Sequence, residues 1–142
     1  MHDIGKIVIP DCILLKPGKL TPEEFDVIKT HTTEGARLIK ECFAGVERPE
    51  YVEMAETVAR SHHEKWNGTG YPEKLAGEEI PLPARIVAVA DVYDALRSVR
   101  CYKLPMPAEE ARSIILEGKG AHFDPDVVDA FMNIVDQVEV AN

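Results

Sequence analysis

The run His62-His63-Glu64-Lys65-Trp66-Asn67-Gly68-Thr69-Gly70-Tyr71-Pro72 constrains this chain more than any other feature. It predicts the end of a polar helix, because closely spaced glycines and a proline do not continue one. Gly68, Gly70, Pro72, Gly77, Pro81 and Pro83 then punctuate residues 66–83, which read as one long ordered loop. Loops above about 12–15 residues in a compact domain tend to be functional. Two adjacent imidazoles at the mouth of such a loop are candidate metal ligands, since histidine is the commonest side-chain ligand.

Helical signals surround the loop. Thr21 is placed to cap a helix, Pro22 suits its first position, and Glu24 completes a capping box. That helix is expected to run to about Cys42, with Phe25, Ile28, His31, Gly35, Leu38 and Cys42 on its inner stripe. Gly35 would let another backbone come close. A second helix is expected over about 49–65, with Tyr51, Met54, Ala55, Val58 and His62 inward. A third, about 83–98, is almost wholly apolar and should be buried on most sides. It nevertheless carries Asp91 and Asp94, and a buried carboxylate is costly unless paired or metal-bound. Helices over about 107–117 and 124–138 follow, the latter capped by Asp124 with Pro125 as its first residue. The expected class is all-α: one domain over residues 1–142, a helical bundle with a long Gly/Pro-rich loop.

Charge and composition narrow the partners. A net charge of −9 argues against a DNA duplex as ligand, which requires a basic footprint. It leaves room for a small phosphorylated ligand, because bound cations dominate their local field. No apolar run approaches the roughly 20 residues of a membrane span, no signal peptide opens the chain, and the cytoplasm is the expected location. Cys12, Cys42 and Cys101 show no paired spacing and read as reduced, half-buried residues.

The candidate ligands are His2, Asp3, His31, His62, His63 and Asp91, drawn from four separate segments. Mixed imidazole and carboxylate donors suit iron, manganese or zinc and suit magnesium poorly. Neighbouring residues on a helix point about 100° apart, so one pair can serve two adjacent metals. A binuclear centre is the economical reading, and it would clamp a phosphodiester and supply a nucleophile at neutral pH. Each residue has a plainer reading. His31 suits a hydrogen-bonded core position, His2-Asp3 a polar terminus, and His122 a helix-start motif. Asp94, one turn beyond Asp91, would support the ligands from behind.

Taken in order, His2-Asp3-Ile4-Gly5-Lys6, His31, the His62–Pro72 run and Asp91-Val92-Tyr93-Asp94-Ala95-Leu96 resemble the HD-GYP domain family. The likeness extends over essentially the whole chain, including Leu15–Thr21 and Gly120–Pro125. It implies an all-helical, metal-dependent phosphodiesterase that hydrolyses the bacterial second messenger cyclic di-GMP to a linear dinucleotide or GMP. It further implies two or three divalent metals, iron or manganese, held by the six residues above, with Asp3 bridging. Lys6 would face the scissile phosphate, Tyr71 would line the site, and Arg100 and Lys103 would contact the ligand's phosphates. Glu64 and Asp94 would stand behind the ligands.

The family normally has a helix before the His-Asp pair, bringing another histidine and, in trinuclear members, a glutamate. Here Met1–Ile7 read as the end of a helix, so the domain is expected to be N-terminally incomplete, with an apolar seam that would favour a homodimer. Asn67 stands where aspartate is common, Arg97 replaces a small polar residue and Cys101 a proline. An alternative reading keeps the fold without turnover, as a module that binds cyclic di-GMP or a partner such as a diguanylate cyclase domain. A third is a phosphohydrolase of other nucleotides. Relatives commonly carry an upstream receiver or sensory domain.

Overall fold

A computed structural model describes residues 1–98 and 105–140. After an opening 3-10 turn, Ile4–Val8, come α1 (Asp11–Leu14), α2 (Pro22–Lys29), α3 (His31–Cys42), α4 (Pro49–Ser61), α5 (Leu82–Arg97), α6 (Ala108–Glu117) and α7 (Pro125–Val140). There is no strand among the described residues, and the class is all-α as expected. None of their helices is long and apolar enough to cross a membrane.

The expected start of α2 is present. Glu24 N donates to Thr21 Oγ1 at 3.2 Å, and Thr21 N donates to the Glu24 carboxylate at 2.8 Å. The helix does not continue to Cys42, however, but breaks at Thr30. Hydroxyls of Thr30, Thr32 and Thr33 each donate to the carbonyl three residues back, at 2.7, 2.9 and 3.1 Å. Such back-bonding competes with the regular ladder and bends the chain. The break separates the predicted stripe into two faces: His31 and Gly35 are buried, while Phe25 is 46% exposed.

Two further expectations need correction. Tyr51 and Met54 on α4 lie in solvent, and its inner face is carried by Ala59 and Ser61. Helix α5 is not buried on most sides. It buries Ala84, Ala88, Val89 and Tyr93, whereas Leu82 and Ile86 are half exposed. Helices α6 and α7 cover one side of it, and an open groove between α5 and α7 is lined by Ile86, Ala90, Asp94, Phe131 and Ile134. Cys12 and Cys42 are exposed rather than half-buried, because α1 buries nothing and residues 41–50 all lie at the surface. Cys101 lies outside the described residues.

The core joins α5, α6 and α7 through Val89, Tyr93, Ala111, Ile115, Phe123, Val128 and Val135. Asp124 caps α7 as expected, accepting from Asp126 N at 2.8 Å. Its second oxygen accepts from Arg85 at 2.6 Å, and Arg85 Nε donates to Ile80 O at 2.8 Å. That one arginine ties the end of the long loop to the starts of α5 and α7. At the other end of the loop, Trp66 N and Asn67 N donate to His122 O and Ala121 O.

The opening turn lies against α3 at a crossing of two glycines. A Cβ on Gly5 would fall 1.9 Å from His31 O and 2.6 Å from Gly35 N. The sequence predicts a close approach at Gly35, and its partner is Gly5. This contact sets Asp3 beside His31.

Candidate metal centre

Three element ends converge. Asp3 precedes the opening turn, His31 begins α3, and His62 and His63 follow α4. One donor atom from each of these four residues lies within 4.8 Å of the others. His31 Nε2 and His62 Nε2 stand 3.4 and 3.8 Å from Asp3 Oδ1. All three atoms are buried, and none has a hydrogen-bond partner.

The opposite ring nitrogens explain why. His31 Nδ1 lies 2.7 Å from Ile28 O, and His62 Nδ1 lies 3.0 Å from the carbonyls of Val58 and Ala59. A carbonyl only accepts, so Nδ1 carries the proton and Nε2 turns a lone pair inward. Two lone pairs and a carboxylate oxygen thus face one another in a buried space, an arrangement that is costly without a shared donor. A divalent cation satisfies all three, and a histidine anchored through its second nitrogen is the usual form of a metal ligand. The donor set fits a divalent metal.

The remaining two candidates flank this group. His2 Nε2 lies 3.6 Å from Asp3 Oδ2 and 3.4 Å from Asp91 Oδ1, and the His2 ring lies 5.0 Å from that of His62. Both side chains are 30% exposed, so Asp91 stands at the open side of the cluster rather than inside the apolar helix. All six candidates from four segments are therefore neighbours.

The electrostatics suit cation binding. Burial alone would raise the Asp3 carboxyl, but the Lys6 hydrogen bond and charge, with His2 and His31, hold it below its ordinary value. Lys6 Nζ donates to Asp3 Oδ2 at 2.6 Å, which leaves Oδ1 to the histidines. Burial lowers His62 and His63, the second to about 3, and their imidazole neighbours add to the effect. Both rings are neutral at physiological pH, the form that ligates metal.

The loop closes over the cluster from one side. The Tyr71 ring stacks on His63 with centroids 4.9 Å apart, and Tyr71 N donates to His63 O at 3.2 Å. Burial first, then Asp3 and Asp91, push the Tyr71 hydroxyl up to about 12, so it keeps its proton. A Cβ on Gly70 would fall 2.4 Å from Lys65 N and 2.5 Å from Glu64 Cα, and only glycine lets the loop lie this close.

Glu64 differs from its expected position behind the ligands. It is 2% exposed, and its carboxylate accepts from Glu73 N at 2.7 Å and Leu75 N at 3.1 Å. Burial pushes its carboxyl up, against the lowering effect of the Glu73, Leu75 and Lys74 amides. Its structural partner is the loop carrying Tyr71. Asp94 is exposed and lines the α5–α7 groove, away from the expected support of Asp91. Arg100 and Lys103 lie outside the described residues. Sequence reasoning placed Phe25 in the core and so missed its edge-to-face contact with Tyr71, centroids 6.2 Å apart. The threonine cluster at 30, 32 and 33 was the available signal.

Comparison with known proteins identifies the family. A family model described as HD domain matches residues 1–127. The chain is 51% identical over 134 residues to a Vibrio cholerae protein named cyclic di-GMP phosphodiesterase, covering 94% of this chain and 27% of that one. It is 46% identical to a Thermotoga maritima protein of the same name, covering 97% and 36%. It is 39% identical to a V. cholerae protein named 3'3'-cGAMP-specific phosphodiesterase 2, covering 96% and 25%. The chain thus spans about a quarter to a third of the length of these relatives. A crystal structure of a cyclic GMP-AMP specific phosphodiesterase from V. cholerae shares the fold, with a TM-score of 0.60, 24% identity, and coverage of 93% of this chain and 33% of that one. On the family match over most of its length, the chain belongs to the HD domain family, in its HD-GYP branch.

Proposed function

We propose that this chain is the hydrolytic domain of a cyclic di-GMP phosphodiesterase. One observation carries the reading: the buried, unpartnered Asp3 Oδ1, His31 Nε2 and His62 Nε2 face one another beside Lys6 and Tyr71. The names of the relatives at 46–51% identity support the substrate.

His31, His62, His63 and Asp3 would hold one cation, and His2, Asp91 and Asp3 a second, with Asp3 bridging. Iron or manganese suits these donors. Cations held there polarise a phosphodiester and supply a nucleophile at neutral pH. Asp3 and Asp91 balance their charge. Lys6, 41% exposed and with ammonium protons to spare beyond its bond to Asp3, reaches toward a phosphate and can protonate the leaving oxygen. Tyr71, protonated at neutral pH, donates to a phosphate oxygen and shields His63 from water. Glu64 holds the loop that presents Tyr71. Arg100 and Lys103 supply cationic contacts, as the family resemblance implies. The products would be the linear dinucleotide or GMP, in cytoplasmic second-messenger signalling.

The 39% identity to a 3'3'-cGAMP-specific relative favours a second reading, in which the mixed cyclic dinucleotide is the substrate. Reconstitution with Fe(II) or Mn(II), followed by mass spectrometry of products from each cyclic dinucleotide, separates the two. Turnover of cyclic di-GMP with the higher kcat/KM supports the first. Preference for 3'3'-cGAMP supports the second, and no turnover by the loaded chain would leave only a binding module.

A further inference from the structure

We propose that Phe25, flanked by Lys29, is a nucleobase platform that receives a purine of the substrate held at the metal centre; this rests on the phosphodiesterase reading above. Isolated exposed apolar residues are ordinary. Phe25 is distinguished by what it touches. Its ring, 46% exposed, meets Tyr71 edge-on with centroids 6.2 Å apart. Tyr71 in turn stacks on His63, whose ring lies 5.1 Å from His31 and 4.1 Å from His62. Aromatic surface therefore runs in two ring contacts from the cluster to solvent. A phosphodiester anchored at the cluster would project its sugar and base outward, and among the described residues Phe25 offers an aromatic surface on that route.

The second observation is Lys29. Its Nζ lies 5.5 Å from the Phe25 ring centroid and is held by Asp26 at 2.5 Å. Lys29 lies over one face of the ring, so a base would stack on the other, and an ammonium at that ring suits guanine, which presents the O6 and N7 acceptors at its edge. Bases stack on aromatic side chains for about 1–3 kcal/mol each, which corresponds to roughly 5- to 150-fold in affinity. The break at Thr30 separates Phe25 from the buried stripe that follows it.

The test compares the metal-loaded chain with its Phe25→Ala and Phe25→Trp variants on cyclic di-GMP and cyclic di-UMP. Phe25→Ala should raise KM for the purine ligand by roughly 5-fold or more, with kcat changed less than about 3-fold and metal content unchanged. The pyrimidine ligand, with its smaller ring, should lose less. Phe25→Trp should retain the low KM, and cyclic di-GMP should quench its added emission. An unchanged KM in Phe25→Ala, or an equal rise for both ligands, overturns the platform. If the loaded chain hydrolyses neither ligand, the phosphodiesterase reading fails alone; the platform is then decided by whether cyclic di-GMP quenches the Phe25→Trp chain more strongly than cyclic di-UMP does.

Discussion

Asp3 and Asp124 are both held by a basic side chain at 2.6 Å, yet they stand in opposite kinds of surroundings. Asp124 belongs to the α5–α7 half. It is 4% exposed, one oxygen caps α7, and the other meets Arg85, so its hydrogen bonding is satisfied. Around it lies an apolar core that includes Val89, Phe123 and Val128. Asp3 belongs to the half built from the opening turn, α3 and α4. Its Oδ1 is buried and faces two histidine nitrogens, none of them with a partner. Among the described residues, the α5–α7 half has no buried side-chain polar atom without a partner. The other carries unsatisfied polar atoms that native structures rarely retain without a reason. The orphaned polar atoms thus belong to one half, with Asp91 of α5 reaching the open side of their cluster, while the other half supplies the apolar core, and each half makes its own predictions.

The largest expected effect is on activity. Asp3→Asn removes the bridging charge and should lower cyclic di-GMP hydrolysis by at least roughly 100-fold, since even residues behind metal ligands are worth about 10–100-fold. Its melting temperature without metal should change little, because Oδ1 has no partner to lose and the amide oxygen can still accept from the partly exposed Lys6. A large loss of metal-free stability would show that Asp3 is a structural residue. Asp124→Ala should behave in the opposite way. Breaking a buried ion pair and a helix cap should cost about 3 kcal/mol in chemical denaturation. Metal stoichiometry of the folded fraction should be unaffected; its loss would show that the two halves are not separable.

A smaller effect sharpens the role of Glu64. Glu64→Ala leaves the Glu73 and Leu75 amides without their acceptor and should cost about 1–3 kcal/mol. Protease cleavage should rise within residues 66–83, with metal still bound. Metal loss with an intact loop would return Glu64 to the position behind the ligands that its sequence suggested.

A further effect is in pH. In the metal-free chain the folded His62 and His63 lie below the ordinary histidine value, the second at about 3. Between the two values the unfolded chain binds more protons than the folded one. Stability from this source is therefore present above about pH 6.5 and is lost progressively as pH falls toward 3. Denaturation of the metal-free chain at pH 7.5, 6 and 5 should show the decline. His62→Gln should weaken it, and an identical slope in that variant would assign the decline to other groups.

Much of the molecule was legible where the signal is local. The starts of α2 and α7 follow from Thr21, Pro22, Asp124 and Pro125, because capping is decided by a few neighbouring residues. The approach at Gly35 followed from the missing side chain, although its partner Gly5 did not, since nothing local names a tertiary neighbour. The six clustered ligand candidates could be picked out by residue type and motif, and their spacing in space required the fold. Misreadings fell where tertiary context prevails. Thr30, Thr32 and Thr33 fit a helical pattern but back-bond and split it. Helix α5 looks fully buried from its composition, yet packing against α4, α6 and α7 still leaves Leu82 and Ile86 half exposed. The carboxylate of Glu64 directly follows a pair of ligand candidates in sequence but is committed to amides nine and eleven residues on.

The most direct measurement is the number of transition-metal ions per chain, by elemental mass spectrometry on protein purified without oxygen. Two or more bound ions, falling sharply in Asp3→Asn and unchanged in Asp124→Ala, is the predicted result. Less than one ion per folded chain would contradict it, and would mean that the facing nitrogens and carboxylate of the first half are not a metal centre.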